Sequence, residues 1–417
     1  MNLSINQERL NQEIDTLATF SADPAPAVTR VVFSKHDVQA RAWLKDRCRE
    51  AGLTLREDAV GNTFIRWTGA QPNLPAVATG SHIDAIPHAG KYDGTIGVLG
   101  GLEAIRALQA TGFTPQRSIE LLLFTAEEPT RFGIGCLGSR LLSGTLPPSV
   151  DNTLRDADGQ TLAAVRQQAG FTGTLESVRL PEDHYAAFVE LHIEQGPILD
   201  DLGKREGLSL GVVTDIAAPA SFRLEIEGEG GHAGGRLMPG RRDALCAAAE
   251  IILAVERSTL ATGAIDTVGT VGICQVHPGA INSIPSRVQL AVDLRDTSAE
   301  RRDGVLARIR ETCDHVARQR GVAIRLEMIN ADAPAKSSPH ILAALESACE
   351  AEGISRLSMI SRAYHDSSFM ARIAPVAMLF IPCRDGVSHR PDEYASPEAI
   401  GRGVIVLART LATLSVS

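Results

Sequence analysis

No stretch of the chain comes near ~18 uninterrupted apolar residues, so no membrane-spanning helix is expected. Positive charge is not in excess either. Lys and Arg number 41 against 50 Asp and Glu, a formal net charge of −9 and a pI of about 5.7. An acidic balance without a basic stripe argues against nucleic acid and anionic membrane surfaces as partners. Cysteine is present but unorganised: seven residues, odd in number, scattered, and nowhere spaced as C-x-x-C. Neither a disulfide framework nor a thiolate zinc site is expected, and a reducing compartment fits. The opening MNLSINQERLNQEIDTL lacks the apolar stretch of a signal peptide, which points to the cytoplasm. There is no internal repeat and no low-complexity tract.

What remains is an ordinary globular composition, 44% hydrophobic and 22% charged over 417 residues. At ~150 residues per domain, that length suggests two or three domains. Periodicity divides the chain. Leu10, Ile14 and Leu17 share a helical face, and Ser34 is placed to cap a second helix through Trp43 and Leu44. LTLRED and TFIRW read as two strands around Gly61-Asn62. PAVATGSHID, IELLLFTAEE and AAFVELHIEQG read as buried strands with polar carboxyl ends, and GTIGVLGGLEAIRALQATG as a helix among them. Strands alternating with helices imply an α/β layer with a largely parallel sheet. Past Gly211 the texture changes: SFRLEIEGEG and RVQLAVDLRD alternate strictly around the helix DALCAAAEIILAVE, and a helix over 299–320 and the strand AIRLEMIN follow. That β-α-β-β-α-β-like set suits a small α+β domain with a half-exposed antiparallel sheet. The α/β texture then returns with VAMLFIPC and a last helix opened by Ser396-Pro397. The expected organisation is a catalytic domain in two parts, 1–212 and 331–417, with an inserted domain at 213–330.

Five segments carry chemistry: GSHIDAIPHAGKYDG, TAEEP, ELHIEQGP, EGGHAGG and DGVSHRPDEY. A single His or an adjacent acidic pair is ordinarily structural. Here His82, Glu128 and His192 each terminate a different apolar strand, and Asp93 sits in a Gly-flanked loop before a helix. In parallel sheets ligands bind at the carboxyl ends of strands. Burying so many polar groups unpaired costs several kcal/mol, whereas a metal satisfies them together. Imidazole with carboxylate suits zinc or manganese, and a shared carboxylate permits two metals ~3.5–4 Å apart.

In these motifs, their order and their spacing, the chain resembles the M20 metallopeptidase-like amidohydrolases. Within them it is similar to the hydantoinase/carbamoylase branch of N-carbamoyl-L-amino acid, allantoate and ureidoglycolate amidohydrolases. The resemblance runs from about Arg41 to Ser396. It implies a di-metal catalytic domain with an inserted lid domain that also dimerises, two divalent ions (zinc or manganese), and a homodimer whose lid residues act in trans. By resemblance, His82 and His192 ligate one metal, Asp93 bridges, and Glu128 and His389 bind the other. Asp84 holds the His82 imidazole in its binding tautomer. Glu127 is left unligated as the general base. His232 reaches the partner's site to stabilise the oxyanion, Asn282 and Arg295 bind a substrate carboxylate, and Gln195 contacts substrate. A planar guanidinium suits Arg295 to a carboxylate. His88, His277 and His315 receive no role.

The resemblance implies hydrolysis of the carbamoyl C–N bond of a small ureido acid, releasing ammonia and carbon dioxide. Ureidoglycolate is the expected substrate, with Tyr364 and His365 offering hydrogen bonds to its α substituent. GGRLMPGRRDA after His232 and SRAYHDSSFMARI depart from many carbamoylases, and these departures bear on the substrate rather than the metals. The alternatives are an N-carbamoyl-L-amino acid or allantoate, then a dipeptidase or aminoacylase. A non-catalytic binding protein should have lost Glu127 or a ligand, and none is missing.

Overall fold

The computed structural model describes residues 2–207 and 210–416. They fall into two compact units, Met1–Thr214 with Lys336–Ser361 and His365–Ser417, and Asp215–Ala335 with Arg362–Tyr364.

The first unit is built on a nine-stranded mixed sheet. Its centre is four parallel strands, in the spatial order Ile119–Leu123, Ala76–Ser81, Tyr185–Ile193 and Val376–Ile381. Antiparallel strands flank them: Thr63–Trp67 and Thr54–Glu57 on one side, Leu210–Ile216 on the other. The central strands are near-continuous apolar runs because both faces are covered. Val77, Leu121, Val189 and Leu379 pack on one face with Ile105 and Leu407 from the helices Thr95–Ala110 and Pro397–Ser415. Ala78, Leu122 and Phe188 pack on the other with Leu141 and Phe171.

Local chemistry sets the helix starts. The Ser34 hydroxyl accepts from the Asp37 amide ahead of Lys35–Glu50, and Ser396 accepts from the Ala399 amide ahead of Pro397–Ser415. The α/β class with a largely parallel central sheet is as the sequence implies. The additions are Val28–Arg30 paired with Ala85–Ala89, and Leu210–Ile216 with its neighbours Arg356–Ser361 and Ala335–Lys336.

The second unit is a four-stranded antiparallel sheet in the order Val268–His277, Arg287–Asp296, Ala218–Glu227, Ala323–Ala331. Strict alternation buries Phe222, Leu224 and Ile226 with Val288, Leu290 and Val292 against the helices Ala244–Leu260 and Ala299–Arg320. The alternate residues point away from those helices. Among the described residues no helix is long and apolar enough to cross a membrane.

Candidate metal centre

The parallel strands deliver polar residues to one end of the first unit's sheet. His82 follows Ser81 directly, His192 is the penultimate residue of its strand, and Glu127-Glu128 lie on the turn beyond Leu123. Asp93 precedes Gly94, which caps the helix Thr95–Ala110 at φ +63. A Cβ at Gly94 would lie 2.4 Å from His82 Nε2, so glycine is required for this approach.

Asp93 organises the cluster. Its Oδ1 lies 3.2 Å from His192 Nε2 and 3.9 Å from His82 Nε2, whereas its Oδ2 lies 3.0 Å from His389 Nε2. His389 Nε2 is also 3.3 Å from Glu128 Oε1. The carboxylate therefore turns one oxygen to each of two groups, His82–Asp93–His192 and Asp93–Glu128–His389, each with ligand atoms within 4.8 Å of one another. A bridging ligand requires this arrangement.

The imidazoles are oriented for metal by backbone carbonyls. His82 Nδ1 is 3.0 Å from the Asp84 carbonyl, and His192 Nδ1 is 2.9 Å from that of Ile193. Nε2 of each ring is thereby turned to the cluster, where that of His192 also faces the Gly94 amide at 3.2 Å. The expected part of Asp84, holding the His82 imidazole, thus falls to its backbone carbonyl. Its carboxylate is 3.7 Å from His82 Nδ1, beyond hydrogen-bond reach, and instead accepts from the amides of Glu127 at 3.3 Å and Glu128 at 3.1 Å. Asp84 holds the acidic turn, in which Ala126 takes a left-handed φ of +55.

The electrostatics couple the imidazoles to the carboxylates they face. Burial would lower the His192 pKa, but the hydrogen bond and charge of Asp93 outweigh it and raise it to about 9. Hydrogen bonds to Asp93 and Glu128 raise His389 to about 10. Burial works against ionised Asp93, yet His192 and His389 hold it well below the usual carboxylate range. Burial, then the charge of Glu128, pushes Glu127 well above its ordinary value. Glu127 Oε2 lies 3.6 Å from His82 Nε2, and its Oε1 accepts from Cys136 Sγ at 3.4 Å. Gln195 donates from Nε2 to Asp93 Oδ2 at 2.9 Å, while its Oε1 is buried without a hydrogen-bond partner. Three imidazoles, two shared or paired carboxylates and an orphaned buried oxygen fit divalent cations.

The remaining expected residues lie elsewhere. His365 is buried beneath the cluster, its ring 4.5 Å from that of His192 and its Nε2 3.1 Å from Ser361 Oγ. It backs His192 rather than facing solvent. His232, Asn282, Arg295 and Tyr364 belong to the second unit. There His232 and Asn282 are neighbours through the pairing of Gly231–His232 with Ser283–Ile284. His232 Nδ1 accepts from the amides of Gly234 at 3.2 Å and Gly235 at 3.1 Å, which leaves Nε2 as the ring's exposed N–H donor. Arg295 is already paired: Nε and Nη2 donate to Asp293 at 2.8 and 3.1 Å. Tyr364 is half-buried.

Sequence reasoning assigned nothing to Glu190, Asp366 or Glu393, three buried acids around the cluster. Glu190 accepts from Ser81 and Ser367, and Asp366 accepts from Ser139. Burial and the charge of Glu190 push Asp366 up to about 8. An acid inside an apolar run, as in AAFVELHI, was the available signal for Glu190.

Residues 78–413 match the peptidase family M20/M25/M40. The chain belongs to this family. A ureidoglycolate hydrolase of Arabidopsis thaliana is 53% identical over 421 residues, covering 99% of this chain and 88% of the relative. An N-carbamoyl-L-amino acid amidohydrolase of Geobacillus stearothermophilus is 39% identical over 412 residues, covering 98% of each. The crystal structure of AtUAH in complex with (S)-hydroxyglycine superimposes with a TM-score of 0.89 at 53% identity, covering 99% of this chain and 98% of that one. The assignment to the amidohydrolases, enzymes of carbon–nitrogen bonds other than peptide bonds, is upheld by these M20 relatives.

Proposed function

We propose that this amidohydrolase cleaves the ureido C–N bond of ureidoglycolate, releasing ammonia, carbon dioxide and a hydroxylated amino acid. The observation that carries the reading is the 53% identity over nearly the whole chain with a ureidoglycolate hydrolase, joined to the (S)-hydroxyglycine complex of the similar solved structure.

His82, Asp93 and His192 would hold one divalent cation, zinc or manganese, and Asp93, Glu128 and His389 would hold a second. Divalent cations bound there would acidify water and polarise the ureido oxygen. Glu127, beside both groups and unligated, takes the proton of the attacking water. It then returns that proton to the leaving nitrogen. Asn282 and Arg295 bind the substrate carboxylate, for which Arg295 exchanges Asp293, and Gln195 and Tyr364 line the small polar substrate. His365 acts through His192 in this reading.

His232 donates its Nε2 proton to the developing oxyanion in the site of a partner subunit. A homodimer built on the inserted unit, as lid and dimerisation domain, is supported by that unit's surface. Leu253, Leu260, Ile265 and Ile273 are each at least half exposed, on the helix Ala244–Leu260, the edge strand Val268–His277 and the turn between them. An apolar helix face beside an open strand edge is what a second copy can cover. The seven cysteines are all free, which supports a reducing compartment such as the cytoplasm.

The test is kcat/KM for ureidoglycolate beside allantoate and several N-carbamoyl-L-amino acids. Ureidoglycolate is expected to lead. A best substrate with an apolar α side chain refutes the assignment and favours the carbamoylase reading, which the 39% relative supports.

A further inference from the structure

His389 is the exposed member of the cluster. Its side chain is 45% exposed, whereas those of His82 and His192 are nearly inaccessible. It lies on no strand and takes a left-handed φ of +59. Nothing in burial or strand pairing therefore fixes its distance from Asp93. The loop that carries it is tied back by Glu393, a buried acid with no assigned part.

Glu393 Oε1 accepts from two consecutive amides, Tyr92 at 2.9 Å and Asp93 at 3.1 Å. Its Oε2 accepts from Ser388 Oγ at 2.9 Å. One carboxylate thus clasps the backbone of the bridging aspartate to the residue beside His389, across 300 positions of sequence. The fit is close: a Cβ at Gly90 would lie 2.3 Å from the Glu393 Cβ, so glycine there admits the acid. Ser388 Oγ is 3.4 Å from both Asp93 Oδ2 and Gln195 Nε2, which carries the clasp up to the ligand oxygen itself.

We propose that Glu393 is the positioning residue of the second cation site, setting the span between Asp93 and His389 through the Tyr92–Asp93 amides and Ser388. This rests on the metal reading above. His82 and His192 keep their own strand and carbonyl supports without Glu393, so its loss falls mainly on the Asp93–Glu128–His389 group, where both Asp93 and His389 depend on it. Partners one shell behind a metal ligand typically contribute about 10–100-fold in affinity.

The experiment titrates metal-free protein with manganese and, separately, zinc, following each binding step by calorimetry. Wild type is expected to show two tight steps. Glu393→Ala is expected to keep one and weaken the other by about 10–100-fold. Glu393→Gln, whose Oε1 still accepts both amides while Ser388 turns to accept from its amide, is expected to restore it. Ser388→Ala leaves the amides paired and the fold intact, and is expected to weaken the same step less. Two unchanged steps in Glu393→Ala overturn the proposal, as does Glu393→Gln binding as poorly as Glu393→Ala. A wild-type protein that takes up no divalent cation overturns the metal reading and this inference with it.

Discussion

Replacing Asp84 with asparagine separates two accounts of how this centre is held. The carboxylate accepts from the Glu127 and Glu128 amides at 3.3 and 3.1 Å, while the Asp84 carbonyl serves His82. An asparagine side chain presents one acceptor and one amino group. One backbone N–H keeps a neutral partner, and the other faces a donor. Hydrogen bonds to a charged group contribute about 1.5–3 kcal/mol each, and an unpaired buried donor costs about 1–3 kcal/mol. The turn it holds already contains Ala126 at a left-handed φ of +55, a conformation that costs about 1–2 kcal/mol. With that much support removed, Glu127 moves. A displacement near 1 Å at a reacting group can cost about 10²-fold in rate. Asp84→Asn is therefore expected to lower kcat by about 10–10²-fold, with affinity at the His82 site unchanged, because asparagine still offers its backbone carbonyl. The assay is steady-state kinetics at saturating metal beside a metal titration of the stripped protein. A variant that loses the His82-site metal and regains full kcat when metal is added in excess would refute this account and return Asp84 to the imidazole.

Loading metal-free protein at pH 7 should release protons, since His192 at about 9 and His389 at about 10 are then charged and must surrender Nε2 to a metal. An indicator dye in weak buffer reads this directly, and apparent affinity should climb with pH; no release means both imidazoles are already neutral at pH 7 and refutes the prediction. Glu127→Gln should lower kcat by about 10²–10⁴-fold with metal content intact, whereas loss of metal would make Glu127 a ligand. Equal mixing of Glu127→Gln with His232→Ala should regain about a quarter of wild-type activity, because half the dimers are hybrids with one intact site each. Verified subunit exchange without recovery counts against sharing.

The fold class was legible because buried parallel strands and a half-exposed antiparallel sheet leave different patterns, continuous in LLLF and alternating in FRLEIE. His82 and His192 stood out as polar groups closing apolar strands. What those side chains do next was not legible, since it depends on which atom of a neighbour is presented. Asp84 seemed a partner for His82 by spacing, but its carbonyl takes the ring and its carboxylate the acidic turn. Arg295 was readable as a carboxylate binder, but not its occupation by Asp293 from the same strand. His365 sat beside Tyr364 in sequence, yet it faces inward onto His192. Glu393 was hidden for a different reason: its partners at Tyr92 and Asp93 are backbone amides, which carry no mark in a sequence. The strand Val28–Arg30 is only three residues long, too short for any period to register.

The two ligand groups differ in when synthesis completes them. His82, Asp93 and His192 all precede the inserted unit, and the strands that deliver His82 and His192 pair directly with one another. The second group waits for His389, delivered only after Val376–Ile381 has joined the sheet beside Tyr185–Ile193. On a ribosome, a nascent chain carries every member of the first group long before the second is complete. The direction of translation thereby sets the order in which the two ligand groups are assembled, and a chain that ends before its last strand carries the first group but not the second.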